Sequence, residues 1–143
     1  MFAKAEAAIL ARLKAQLPGD VHVGPLRDLE MVAQYRQKAP AVWLIYDGYE
    51  AGERIAPLNY VQKVTQQWYA VIATKSAKGS GTVTEAQDQA SELCELVLAA
   101  LLGFQVSPGA HLRLEDAPGP EYDAGYCHVP IAFSNFATFK GAL

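Results

Sequence analysis

Two strand-like runs, residues 41–46 and 58–74, flank a polar stretch at 47–57, and two helix-like runs, residues 2–17 and 82–102, lie outside them. In the first helical run Phe2, Ile9, Leu10, Leu13 and Leu17 share one face, while Lys4, Glu6, Arg12 and Lys14 occupy the others. Pro18, Gly19 and Asp20 end it, because proline cannot continue the hydrogen-bond ladder. Residues 21–23 read as a short extended piece closed by Gly24-Pro25, since the residue before a proline is pushed out of the helical region. Residues 26–37 fit either one or two helical turns, through Leu26, Leu29, Val32 and Ala33, or an irregular connection.

Residues 41–46 (AVWLIY) are apolar on both faces, which predicts a central strand covered on both sides or at its ends. Asp47-Gly48 is turn chemistry. Residues 49–57 extend it as a charged arm through Glu50, Glu53 and Arg54. The next run is long for a strand, whose usual length is about 5–6 residues. Its first half is polar, with Gln62, Lys63, Gln66 and Gln67. Its second half is core-like, with Trp68, Ala70 and Ile72 on one face and Tyr69, Val71 and Ala73 on the other. One strand thus passes from an exposed arm into a buried sheet.

A flexible connection is expected over 75–81 (KSAKGSG), followed by the strongest helical signal at 82–102. Thr82 with Glu85, or Thr84 with Gln87, matches a capping box. Ala86, Ala90, Leu93, Cys94, Val97 and Leu101 form an apolar stripe, Glu85, Asp88, Glu92 and Glu95 an acidic one, and Gly103 suits the position after the helix. Residues 104–109 turn the chain back, 112–114 read as a strand, 117–120 as a turn, 121–136 as the last long strand and 137–143 as a tail. In that last strand Cys127, Val129, Ile131 and Phe133 alternate inward, His128, Pro130 and Ser134 outward, and Pro130 predicts an edge or a bulge. These elements predict one α+β domain, 1–143. Its sheet is mixed and mainly antiparallel, two main helices pack on one face, and a β-hairpin arm projects.

Composition narrows what such a domain does. Charged residues are 19% of the chain, below the roughly 25% of an average globular protein, which leaves uncharged surface for a partner. A net charge of −3 without a basic run argues against a phosphate-binding footprint and hence against nucleic acid. No apolar run is long enough to span a membrane, and the N-terminus lacks a signal-peptide layout because Glu6, Arg12 and Lys14 interrupt it. Cys94 and Cys127 read as reduced core residues of a cytosolic protein.

Catalytic chemistry finds no support in the residue pattern. His22, His111 and His128 have no metal-ligand spacing. Cys127 and His128 are adjacent on a strand and point to opposite faces. Ser107 and Ser134 lack a nucleophile-elbow context. The acidic pairs Glu115-Asp116 and Glu121 with Asp123 sit beside prolines and glycines and read as solvated loop carboxylates. No Walker-type spacing accompanies the glycines at 79–81. No metal and no cofactor is expected. The aromatics Tyr46, Tyr49, Tyr60, Trp68 and Tyr69 serve either as packing between sheet and helices or as interface anchors.

The order of landmarks resembles a known family. An N-terminal amphipathic helix leads to VHVGP, then PAVWLIYDGYE, QKVTQQWYAVIATKS, the helix EAQDQASELCELVLAALLGF, and a C-terminal hairpin ending YCHVPIAFSNF. This resembles the tail-terminator proteins of long-tailed phages, particularly the Mu-like group of contractile-tailed phages, over roughly residues 1–136. The resemblance implies an α+β fold and no enzymatic activity. It implies a homohexameric ring on the head-proximal end of the tail tube, assembled in the host cytoplasm and carried in the virion. Such a ring stops tube polymerisation, fixes tail length, offers a surface to neck and head-completion proteins, and in contractile tails meets the sheath.

A ring needs heterologous contacts, one patch meeting a different one. The arm residues Tyr49, Glu50, Glu53, Arg54, Tyr60, Gln62 and Lys63 are candidates for one patch, and Glu85, Asp88 and Glu92 of the acidic stripe for the other. These contacts are proposed from chemistry, because no family interface motif matches residue by residue. Two other readings compete: a head–tail joining protein, which would be absent from tails assembled without heads, and a small ligand-binding or enzymatic domain, which needs a deep pocket with convergent polar groups.

Overall fold

Three long strands carry the architecture in the computed structural model, which describes residues 2–76 and 83–142. The chain opens with helix α1 (Ala3–Gln16), strand β1 (His22–Leu26) and the single turn α2 (Met31–Gln34). The long strands β2 (Ala41–Arg54) and β3 (Val61–Lys75) follow, then helix α3 (Val83–Leu101). Short strands β4 (Gln105–Ser107), β5 (Ala110–His111), β6 (Arg113–Glu115) and β7 (Glu121–Asp123) lead to the third long strand, β8 (Tyr126–Lys140). The main sheet runs β1-β2-β3-β8-β6, with β7 also paired to β8, and β4 and β5 form a separate hairpin. Among the described residues only the β1–β2 pair is parallel, so the sheet is mixed and mainly antiparallel, as expected. The expected Thr82 cap and most of the 75–81 connection lie outside the described residues.

The helical stripes explain the main core. Ile9 and Leu13 from α1, Leu17 just beyond its end, and Ala86, Ala90, Leu93, Val97 and Leu101 from α3 pack on Val42, Leu44, Trp68, Ala70 and Ile72 of one sheet face. Each large apolar side chain buried this way contributes roughly 1.5–3 kcal/mol. The opposite face buries Trp43, Ile45, Val71 and Ala73 against Val32, Ala39 and Tyr35 of the 27–40 connection. That connection supplies α2 and a 3-10 turn, Arg36–Lys38. The alternation at 68–73 therefore divides two cores, one on each face.

Several boundaries move, each for an identifiable reason. Strand β1 runs through Gly24-Pro25 to Leu26, because β1 is an edge strand and proline costs no ladder bond on an open side. Strand β3 starts at Val61, and Leu58 stays in the hairpin loop. The last strand divides at Ala124-Gly125, where both residues have positive φ (48° and 83°) and Asp123 pairs with Tyr126. This is the backbone of a tight two-residue hairpin. The expected tail is strand as far as Lys140, which pairs with Val61. Pro130 falls in a gap, since β7 pairs as far as His128 and β6 from Ala132, so it does sit at a local edge. Gly103 ends α3 with φ of 75°, as anticipated.

Candidate functional site

Strands β2, β3 and β8 outrun both cores. The helix-side core ends with Trp68 and Phe133, and neither core takes in a residue from 47–64 or 135–140. Phe2 at the start of α1 stacks on Tyr46 at 4.5 Å, and Tyr46 in turn lies 4.8 Å from the Trp68 ring. Beyond that aromatic step the sheet continues as an arm. It is three strands wide, because β8 pairs with β3 along its whole length, from Lys75↔Tyr126 to Val61↔Lys140. The C-terminal residues 137–140 thus turn the expected hairpin arm into a small sheet, which is far more stable in water than two strands.

Asp47-Gly48 is a β-bulge where the sequence predicts a turn. Tyr46 faces Trp68 and Tyr49 faces Gln66, so two residues of β2 stand opposite Gln67 alone. Gly48 has φ of 94°, a value ordinary side chains resist. A second irregularity sets Gly52 and Glu53 opposite Lys63. A Cβ at Gly52 would lie 2.8 Å from the Lys63 carbonyl oxygen, so only glycine allows that approach. Bulges bend and twist a strand without ending it, which is how turn-like residues sit inside β2.

A buried polar chain joins the arm to the core. Trp68 Nε1 donates to Asn135 Oδ1 at 2.8 Å, and Asn135 Nδ2 donates to Gln66 Oε1 at 3.0 Å. Gln66 is 3% exposed, which corrects its assignment to the solvent-facing half of the strand. Its parity puts it on the Trp68 face, and the third strand covers it. Ser134 is also buried although it points away from the helices: Arg113 Nη2 donates to its Oγ, which donates to Glu115 Oε1 at 2.8 Å.

Past this chain the arm is exposed and rich in aromatic side chains. Tyr49 is half exposed and meets Phe139 edge-on at 6.3 Å. On the other face Lys63 Nζ lies 3.7 Å from the Phe136 ring centroid and the Arg113 guanidinium 4.2 Å from it. Glu50 and Glu53 face solvent. The structure gives Arg54 and Gln62 internal work. Arg54 donates to the carbonyls of Ala56, Pro57 and Asn59 at 3.1, 3.3 and 3.4 Å, and its guanidinium lies 4.7 Å from the Tyr60 ring. Gln62 Nε2 donates to the Gly52 carbonyl at 2.8 Å. The loop they hold carries Leu58, which is 92% exposed. Sequence reading missed Leu58 because strand alternation absorbed it; the signal was the proline before it, which breaks the strand. Glu85, Asp88 and Glu92 lie on the solvent side of α3.

Among the described residues no three His, Cys, Asp or Glu side chains gather as a metal site would require. Burial pushes the Cys94 thiol up to about 11 and raises Cys127 as well, so neither supplies a thiolate near neutrality. Cys127 faces the helices while His128 lines a cavity on the opposite sheet face, as strand alternation requires. Desolvation lowers the His128 pKa, with Glu121 and Asp123 favouring and Arg36 opposing its charged form.

No curated protein is similar enough to this chain to count as a match. The family model described as phage tail terminator protein matches residues 2–139 of the 143. The match takes in nearly the whole chain, and the chain belongs to the phage tail terminator protein family.

Proposed function

We infer that this structural protein of the phage tail forms a closed ring, hexameric by family resemblance, on the head-proximal end of the tail tube. There it ends tube polymerisation and presents a surface to the neck or head-completion protein, and to the sheath in contractile tails. The arm carries this reading. A three-stranded extension with exposed Tyr49, Tyr60 and Leu58 buries little within its own chain, and such surface on a protein of low charge favours self-association. Tyr49, Glu50, Glu53 and Lys63 are the side chains available to touch a neighbour, with Arg54, Tyr60 and Gln62 shaping the tip. The acidic stripe Glu85, Asp88 and Glu92 suits a basic surface on another tail component.

Light scattering of the purified chain, with electron microscopy of tails assembled with and without it, tests the reading. Rings in solution or on tube ends, and overlong tubes in its absence, are expected. A monomer at all concentrations together with unringed tubes of normal length overturns it.

A further inference from the structure

The sheet face opposite α1 and α3 holds a cavity of about 170 Å³. Val32, Val71, Pro118 and Pro130 give it apolar walls, and Glu30 and Glu121 place carboxylates at it. His128 also lines it, and its Nε2 is buried without a hydrogen-bond partner. Buried polar atoms are rarely left unpaired. An apolar hole with carboxylates beside it is complementary to an apolar knob flanked by positive charge.

The far end of the arm offers such a knob. Leu58 is the most exposed large hydrophobic side chain among the described residues. The three carbonyls gripped by Arg54 hold the loop in one shape, so seating it loses little conformational freedom. Arg54 and Lys140, which pairs beside the loop with Val61, bring positive charge toward the cavity's Glu30 and Glu121. The chain cannot fill its own cavity with this tip. Val71 at the cavity and Val61 at the base of the tip are ten residues apart on one strand, about 33 Å at ~3.3 Å per residue.

We propose that Leu58 of one copy seats in the cavity of a second copy. The contact is heterologous, one patch on a different patch, and repeating it by rotation closes a ring. It deepens the ring reading above and rests on it.

Cysteines at the two ends of the contact test it. A Cβ at Gly119, which also lines the cavity, meets nothing within 4 Å, so Gly119→Cys preserves the fold. The double variant Leu58→Cys/Gly119→Cys should give a covalent ladder of oligomers under mild oxidation. The two single variants mixed should give dimers only, and the parent chain, with Cys94 and Cys127 in or against the core, no ladder. Leu58→Asp should weaken self-association about thirty-fold, as loss of a desolvated anchor does, with the melting temperature of the monomer unchanged. Oligomers that persist without a ladder, or an unchanged association constant in Leu58→Asp, overturn the tip-in-cavity contact and leave the ring standing. A chain that stays monomeric even with tail tubes overturns both.

Discussion

The two halves of the long strands differ in what covers them, although the backbone ladder is continuous. From Ala41 to Ile45 and from Trp68 to Thr74 nearly every residue is buried, by helices on one face and the 27–40 connection on the other. From Tyr49 to Val64 the same strands carry little beyond each other and β8. The core half is held by apolar burial. The arm half is held by backbone pairing, two bulges and cation–ring contacts. Such a region keeps its shape while leaving its surface unspent, which is what a contact element of an assembly requires. The Gln66–Asn135–Trp68 chain marks the boundary. Its polar groups are satisfied in one strand register, and a slip by one residue would bury them unpaired.

Breaking the core half gives the largest expected effect. Trp68→Ala removes a side chain that is 1% exposed, and chemical denaturation should show a loss of about 3–5 kcal/mol. A smaller loss would mean that the two halves share the load. Cutting the boundary comes next. Asn135→Ala strands Trp68 Nε1 and Gln66 Oε1 without partners, at a cost of roughly 2–3 kcal/mol. Hydrogen exchange should then accelerate in residues 61–66 before the core opens; uniform acceleration would show that the boundary does not separate the halves.

Changing the arm should act on assembly while sparing the fold. Glu53→Ala/Arg54→Ala should weaken self-association about tenfold and cost the monomer roughly 0.5–1.5 kcal/mol, because Arg54 holds the 56–59 loop through three exposed hydrogen bonds. An oligomer of unchanged size and affinity in sedimentation would sink the arm as a contact.

The smallest effect is a pH dependence centred on the core half. Burial lowers the His128 pKa below its ordinary 6.5, so the unfolded chain binds that proton more readily. Stability should therefore be full above pH 6.5 and decline as pH falls through and below that value. His128→Gln should flatten this part of the profile in thermal melts at pH 7 and pH 5; an unchanged slope would assign the dependence to other groups.

Local chemistry was enough to place the elements whose partners are implied by their own pattern. The stripes of α1 and α3 and the alternation at 68–73 each require a particular kind of neighbour, so helices on one face of a mixed sheet could be read directly, and the order of those elements carried the family resemblance. Sequence also exposed the change of character along β3. It could not show that residues 137–140 return beside Val61, because strand pairing depends on a partner about 75 residues away and a short mixed run such as Ala137-Thr138-Phe139 has no local signature. For the same reason Gln66 read as solvent-facing, Asp47-Gly48 as a turn and Leu58 as strand. A glutamine is buried only if an asparagine from another strand meets it, a glycine makes a bulge only if the opposite strand continues, and a leucine is left bare only when the hairpin closes behind it. Tertiary structure decided these points because each is a relation between distant segments.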